Sequence, residues 1–209
     1  MKTVDLTHMV KEGMPVYPGT EPPKVEIATT IDKDGFEERL LTLFSHTGTH
    51  MDAPSHILKG GRTLSDFSVA DFTGRAVLID ARGMTDVTAE VLEKYTDRLY
   101  LADFAVLYTG WSAHWGTDKY FSGFPVLTSR ACEMLTTFSI KGVCMDTISV
   151  DSVDTETYKN HRILFSAGIF LVENLTNLDS IDRADFTLTC LPMNIENGDG
   201  APVRAVASF

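Results

Sequence analysis

Apolar residues along the chain fall mostly into short runs of strand length. Some runs, such as residues 76–79, are continuously apolar, which is typical of strands that are covered on both faces. The pattern predicts strands at Val4–His8, Lys24–Thr29, Arg39–Phe44, Arg75–Ala81, Tyr100–Tyr108, Lys141–Asp146, Gly168–Glu173, Asp185–Met193 and Val203–Ser208. Extended structure is therefore expected to dominate the fold.

Helical periodicity is clear in only a few places. Thr88 can cap a helix that runs to about Tyr95, and Thr128 can cap another. The second helix is expected to bury a stripe formed by Ala131, Cys132, Leu135 and Phe138. Because strands outnumber helices, the sequence predicts an α/β or α+β domain with a mixed sheet, open or curled toward a barrel. No repeat or linker-like segment interrupts the chain, so residues 1–209 are expected to form one domain.

Composition and charge narrow the classes of partner. The hydrophobic content of 44% is ordinary for a globular protein, and no apolar run approaches the roughly 18 residues that a membrane span requires. The net charge of −11 argues against nucleic acid and anionic membrane surfaces as partners, since both select basic patches. The start of the chain lacks signal-peptide features, and the three cysteines include no CxxC pair. These features predict a cytoplasmic protein whose main partner is neither nucleic acid nor an anionic membrane.

A cluster of histidines is the strongest chemical signal. Three of the six histidines lie in the segment HTGTHMDAPSH, which begins at His46 and ends at His56. In an extended chain His46, His50, Asp52 and His56 share one face because their spacing is even. At about 3.3 Å per residue, His46 and His50 would lie roughly 13 Å apart, too far to share an ion. The chain must therefore bend between them, and Gly48 is the residue that permits a bend.

Two imidazoles and a carboxylate form a ligand set that suits Zn²⁺, Mn²⁺ or Fe²⁺. We therefore expect His46, His50 and Asp52 to bind a divalent ion. Downstream, Glu173 closes an apolar strand-like run, and His161 precedes this run. The pattern alone leaves open whether either side chain enters a pocket or lies at the solvent edge.

Other residues allow both a structural and a functional interpretation. Tyr17, Phe44 and Trp111 either line an aromatic substrate pocket or pack in the core, where aromatic side chains are more common. Asp199 and Arg204 are expected to pair with each other near the C-terminal strand.

The segment from His46 to His56 resembles the HxGTHxDxPxH signature of the metal-dependent cyclase family, which includes bacterial kynurenine formamidases and isatin hydrolases. The resemblance covers nearly the whole chain. Its further blocks are Asp5–His8, Gly13–Gly19, Asp146–Asp151, His161–Asn174 and Gly198–Arg204. It implies a single α/β domain whose mixed, barrel-like sheet is flanked by a few helices. It also implies a homodimer or homotetramer with pockets near the subunit contacts.

The resemblance further implies roles for individual residues. Metal ligands are implied at His46, His50, Asp52, His161 and Glu173. In this assignment Asp52 bridges a first ion to a second one held by His161 and Glu173, with Zn²⁺ or Mn²⁺ as the metal. His56 is implied to be a general acid or base that stays free of metal.

The implied reaction is hydrolysis of a small aryl or cyclic amide. A divalent ion lowers the pKa of bound water toward about 7 and so supplies the hydroxide that attacks the carbonyl carbon. N-formylkynurenine is the leading substrate, and isatin or a lactone is the alternative. The residue pattern alone also fits an Fe(II) oxygenase with His50, Asp52 and His161 as ligands, which would leave His46 and Glu173 surplus. A metal-stabilised binding protein is a further alternative.

Overall fold

The computed structural model describes residues 1–209. Its strands are β1 (Thr3–Asp5), β2 (Lys24–Thr29), β3 (Glu38–Thr42), β4 (His50–Asp52), β5 (Thr73–Asp80), β6 (Asp86–Val87), β7 (Phe104–Tyr108), β8 (Val126–Leu127), β9 (Gly142–Met145), β10 (Phe170–Glu173), β11 (Asp185–Pro192) and β12 (Gly200–Ser208). Its α-helices are α1 (Ile31–Asp34), α2 (Ala89–Glu93), α3 (Thr96–Leu99), α4 (Ser129–Leu135) and α5 (Lys159–Ser166). The 3₁₀ helices are Pro54–His56, Leu64–Asp66, Val69–Phe72, Trp111–His114, Asp118–Phe121 and Leu178–Ser180. None of the helices combines the length and the apolar composition that a membrane crossing would require.

The main sheet closes into a barrel. Its strands follow the order β12, β11, β5, β7, β9, β10 and β4, and β4 pairs back onto β12. The neighbours from β5 to β10 are parallel, whereas the remaining pairings are antiparallel. β1 extends the sheet at one end of β12. The mixed sheet that the pattern predicts is thereby confirmed, and so is the barrel-like form that the family resemblance implies.

Alternation of side chains along the strands produces two apolar layers. One layer fills the barrel and includes Met51, Phe104 and Phe170, with contributions from every barrel strand. The other covers the outer face of the parallel strands, where Ile79 and Leu107 pack beneath α2, α4 and α5. His50 and Asp52 flank Met51 on β4, so their side chains point to the outer face of the barrel.

Some predicted boundaries were wrong. β7 begins at Phe104, not at Tyr100, because α3 ends at Leu99 and Tyr100 is the C-cap residue of that helix. β1 ends at Asp5, three residues before His8, because its pairing with β12 ends there. The helix boundaries also differ from the prediction, as α2 ends at Glu93.

Two predicted caps have different outcomes. Thr128 caps α4 as predicted, since its Oγ1 accepts a hydrogen bond from the amide of Ala131 at 3.2 Å. Thr88 occupies the N-cap position of α2 without a side-chain bond to the helix backbone. Phe138 is buried, but it lies beyond the end of α4.

β2 and β3 form a separate antiparallel hairpin outside the barrel. Every residue of β3 is exposed, and Ile27, Leu40 and Leu41 are 57%, 55% and 55% exposed. The hairpin therefore presents apolar side chains to solvent instead of packing them in the core.

Candidate metal and catalytic site

A sharp bend precedes β4 and brings the first two histidines of the cluster together. Gly48 has a φ of +67°, which lies in the left-handed region that favours glycine. A Cβ at this position would also lie 3.0 Å from Cε of Met14. The bend that metal sharing requires is therefore present at Gly48, and only His50 and Asp52 belong to the same strand.

The first group of candidate ligands surrounds one oxygen of Asp52. Nδ1 of His46 lies 2.6 Å from Oδ1 of Asp52, and Nε2 of His50 lies 3.1 Å from the same oxygen. His50 and Asp52 are buried, and these three residues form a group that could hold an ion. The spacing fits ligands that meet at one divalent ion, since each would bind it at about 2 Å.

The second group uses the other side of Asp52. Oδ2 of Asp52 lies 3.9 Å from Nε2 of His161, which lies 3.7 Å from Oε1 of Glu173. β10 pairs with β4 so that Glu173 stands opposite His50. Oε1 of Glu173 is buried and has no hydrogen-bond partner, an arrangement that is costly unless a cation satisfies the oxygen. The residues present therefore fit a pair of ions that share Asp52.

Backbone and carboxylate oxygens orient the imidazoles of His161 and His50. Oδ2 of Asp151 accepts hydrogen bonds from Nδ1 of His161 at 2.7 Å and from the amide of His161 at 3.1 Å. Nδ1 of His50 donates to the carbonyl oxygen of Gly48 at 2.8 Å. Both arrangements place the ring proton on Nδ1, which leaves the lone pair of Nε2 for a metal ion.

Asn174 and Tyr120 support this arrangement, and the sequence pattern did not single them out. Nδ2 of Asn174 donates to the carbonyl oxygen of Gly48 at 2.7 Å, and the hydroxyl of Tyr120 donates to Oδ1 of Asn174 at 2.7 Å. Asn174 directly follows Glu173 and has a φ of +58°, which asparagine tolerates better than most residues. An asparagine immediately after a candidate ligand is the one sequence signal that points to it.

The electrostatics of the site depend on burial and on the close carboxylates. Burial disfavours the imidazolium of His46, but Asp52 and Asp199 outweigh it and raise the pKa of His46 to about 9. Burial likewise opposes ionisation of Asp52, yet His46 and His50 hold its pKa well below the usual range. Burial, together with the charge of Asp52, raises the pKa of Glu173 well above its usual value. The metal-free site thus carries protons that a cation would replace.

His56 stands beside the first group. It ends the 3₁₀ helix Pro54–His56, and its ring centroid lies 3.9 Å from that of His46. Its Nδ1 lies 3.7 Å from Oδ2 of Asp199. Burial lowers the pKa of His56, so the imidazole is neutral near pH 7 and can accept a proton.

These residues line one cavity of about 410 Å³. Its wall contains Tyr17, Thr20, Phe44, Ser45, His46, His50, Asp52, His56, Ile57, Ile148, Ser149, Tyr158, His161, Glu173 and Asp199. Tyr17 and Phe44 thus lie at the cavity, and the Tyr17 hydroxyl donates to the carbonyl oxygen of Val153 at 3.2 Å. Trp111 is not part of this wall. Its Nε1 donates to the carbonyl oxygen of Tyr120 at 2.9 Å, and its ring packs in a neighbouring apolar cluster.

The predicted pairing of Asp199 with Arg204 is wrong. Arg204 bonds Asp5 of the neighbouring strand β1, through Nη2 at 2.6 Å and Nε at 3.0 Å. Asp199 instead places Oδ2 3.0 Å from Nε2 of His46. The reason is that Asp199 precedes the first residue of β12, where the strand meets β4, whereas Arg204 lies farther along beside β1.

Comparison with known proteins identifies the family of this chain. Residues 4–152 match the sequence model of the family described as "Putative cyclase". The chain belongs to this cyclase family. A relative, the kynurenine formamidase of Bacillus thuringiensis (strain Al Hakam), is 30% identical over 210 residues, which cover 99% of this chain and 98% of the relative.

Solved structures share the cyclase-family fold. A structure described as a potential metal-dependent hydrolase with cyclase activity has a TM-score of 0.83 and 28% identity, with 99% of this chain and 96% of that chain covered. Isatin hydrolase A from Labrenzia aggregata, bound to benzyl benzoate, has a TM-score of 0.86 and 25% identity, with 99% and 93% covered. The barrel and its helices are therefore those of the cyclase family.

Proposed function

We propose that this chain is a metal-dependent hydrolase that cleaves a small aryl or cyclic amide, with N-formylkynurenine as its leading substrate. The observation that carries the proposal is the pair of ligand groups that share Asp52 within one cavity, beside the neutral His56. The kynurenine formamidase relative and the metal-dependent hydrolase structure support a hydrolase that acts on carbon–nitrogen bonds. The isatin hydrolase structure makes isatin, a cyclic amide, the alternative substrate.

The proposed metal is Zn²⁺ or Mn²⁺, because imidazole and carboxylate ligands suit both. His46, His50 and Asp52 would hold one ion, and Asp52, His161 and Glu173 would hold a second. A divalent ion bound here would lower the pKa of a water ligand toward about 7 and so supply hydroxide at neutral pH. An oxygenase whose metal has only two histidines and one carboxylate as ligands fits this site less well, because such a site would leave His46 and Glu173 without a role.

His56 provides the proton transfer in this proposal. When the scissile C–N bond breaks, the leaving nitrogen needs a proton, and a neutral imidazole can take one from water and pass it on. His56 reaches the cavity, and its side chain is 33% exposed, so it is open to both water and substrate. Groups that transfer protons in this way contribute about 10²- to 10⁴-fold to turnover.

The cavity wall favours a flat substrate without a phosphate group. Tyr17 and Phe44 offer aromatic surfaces against which a planar ring can pack. No lysine or arginine is part of the wall, so a phosphate group has no ammonium or guanidinium group to pair with there. An aryl formamide or isatin meets both conditions at its reacting end.

Homo-oligomerisation, as a dimer or tetramer, is also proposed. The β2–β3 hairpin leaves Ile27, Leu40 and Leu41 more than half exposed, and an isolated two-stranded hairpin is marginally stable in water. The chain continues directly from this hairpin to Phe44 in the cavity wall. A second copy of the chain that covers the hairpin would bury this apolar surface and lie next to the cavity.

The test is a steady-state assay of the protein loaded separately with Zn²⁺ and Mn²⁺, with chelator-treated protein as the control. We expect N-formylkynurenine to be hydrolysed with a kcat/KM of at least about 10⁴ M⁻¹s⁻¹, the lower end for a physiological substrate. A value far below this, with faster opening of isatin or a lactone, assigns the alternative substrate. Oxygen-dependent turnover without hydrolysis would refute the hydrolase.

A further inference from the structure

The carboxylate of Asp199 faces two imidazoles of the site at once. Its Oδ2 lies 3.0 Å from Nε2 of His46 and 3.7 Å from Nδ1 of His56. The two rings lie side by side, with centroids 3.9 Å apart. One carboxylate oxygen therefore reaches both a candidate metal ligand and the candidate proton-transfer group.

The backbone around Asp199 is built to hold this position. The carbonyl oxygen of Asp199 accepts a hydrogen bond from the amide of Ala53 at 2.9 Å, which ties it to the residue after Asp52. The next residue, Gly200, packs directly against the ring of His46. A Cβ at Gly200 would lie 2.6 Å from Cε1 and 2.7 Å from Nε2 of His46. Glycine at this position thus permits the close approach of the loop to the imidazole.

Each ligand imidazole has one oxygen acceptor behind it. His161 has Asp151, and His50 has the carbonyl oxygen of Gly48. For His46 the nitrogen that faces Asp52 is Nδ1, so the opposite nitrogen, Nε2, must carry the proton when His46 binds a metal ion. Asp199 is the acceptor at that nitrogen.

We propose that Asp199 is a positioning residue shared by His46 and His56. It fixes the tautomer of His46, with the proton on Nε2 and the lone pair of Nδ1 directed at the metal position. It also faces Nδ1 of His56, which leaves Nε2 of His56 as the nitrogen that exchanges a proton with the substrate. The role of Asp199 toward His56 rests on the proposed function, in which His56 transfers a proton. The role toward His46 depends only on metal binding.

The first test measures Zn²⁺ affinity by competition with a chromophoric chelator. Asp199→Ala is expected to bind Zn²⁺ about 10- to 100-fold more weakly, the usual effect of losing an acceptor behind a ligand histidine. Asp199→Asn is expected to retain most of the affinity, because its amide oxygen can still accept the Nε2 proton. Asp80→Ala is the matched control, since Asp80 is 48% exposed against 49% for Asp199 and bonds Arg82 away from the site. Unchanged affinity in Asp199→Ala would overturn the proposal.

The second test needs no variant. Long-range ¹H–¹⁵N spectra of the Zn²⁺-loaded protein should show His46 with a protonated Nε2 and a metal-bound Nδ1. A metal-bound Nε2 on His46 would overturn the assignment, because Asp199 would then have no proton to accept.

The third test separates this role from the proposed function. At saturating Zn²⁺, Asp199→Ala should lose about 10- to 100-fold in kcat with little change in KM, since it disturbs His56 but leaves Tyr17 and Phe44, the aromatic residues of the cavity wall, in place. A wild-type kcat retained at saturating Zn²⁺ would overturn the role toward His56. If the wild-type protein hydrolyses no amide, the proposed function fails, while the affinity and spectra still decide the role of Asp199 toward His46.

Discussion

The metal-free site holds protons that a metal ion has to displace. Burial disfavours the charged imidazolium of His46, but the carboxylates of Asp52 and Asp199 outweigh burial and raise the pKa of His46 to about 9. Nδ1 of His46 is therefore protonated at neutral pH. Burial and the charge of Asp52 also raise the pKa of Glu173 well above its usual range. A protonated nitrogen or carboxyl oxygen cannot coordinate, and binding therefore releases protons. The affinity for Zn²⁺ is accordingly expected to rise with pH.

The pKa of His46 sets the size of this effect. Below pH 9, each unit by which the pH falls lowers the fraction of His46 with an unprotonated Nδ1 by about tenfold. Between pH 8 and pH 6 the apparent Zn²⁺ affinity should thus fall about 100-fold through His46 alone, and loss of the Glu173 proton adds to the change. The sign follows from the raised pKa: proton competition is strong at low pH and disappears as pH rises through 9.

Isothermal titration calorimetry in buffers of different ionisation enthalpy measures the proton release directly. At pH 7 we expect release of at least about one proton per chain when the first ion binds. His56→Ala is the control and should release the same number, because burial lowers the pKa of His56 and leaves it neutral at this pH. An affinity that is independent of pH between 6 and 8, or no proton release, would refute the reasoning.

Other residues give separate expectations. His56→Ala should keep its Zn²⁺ but lose about 10²- to 10⁴-fold in kcat, and loss of the metal by elemental analysis would make His56 a ligand instead. Asp52→Ala should lose metal from both groups because each contains this carboxylate, so full stoichiometry in that variant would disprove the bridge. Leu40→Glu, on the exposed hairpin, should shift the protein from oligomer to monomer in sedimentation equilibrium, and a monomeric wild type would contradict the proposed assembly.

Local patterns were sufficient to predict most of the strands. The run Lys24–Thr29 matches β2 at both ends, and the continuous apolar runs around Leu78 and Val143 lie in strands of the parallel part of the barrel. These predictions succeeded because alternation and apolar continuity are properties of neighbouring residues. The spacing of His46, His50 and Asp52 was informative for the same reason, since the bend at Gly48 is a local event.

α5 was not predicted because its local signals are weak or misleading. Its N-cap residue, Tyr158, has a φ of 49° and supplies no capping side chain. Its apolar residues, Ile163, Leu164 and Phe165, are consecutive and therefore resemble a strand as much as a helix. The sequence pattern consequently left the direction of His161 open, although α5 buries it against Asp151.

The placement of Asp199 could not be predicted from nearby residues. Locally, Asp199 and Arg204 are opposite charges close together in sequence, which favours a pairing between them. The pairing of β12 with β4 decides otherwise, since it places Gly200 opposite Asp52. The flanking glycines, Gly198 and Gly200, are the one local signal of a close backbone approach here, and the pattern of the sequence did not single them out.

β4 links the closure of the barrel to the geometry of the site. This three-residue strand pairs on one side with β10, which sets Glu173 opposite His50, and on the other with β12, which sets Gly200 opposite Asp52. The pairings that close the barrel are therefore the same pairings that bring the candidate ligands together. In the unfolded chain Asp52 and Glu173 are far apart, so an ion that binds both stabilises the closed barrel over any open form. Metal affinity and closure of the sheet are consequently linked, and a change that weakens the pairing of β4 acts on both.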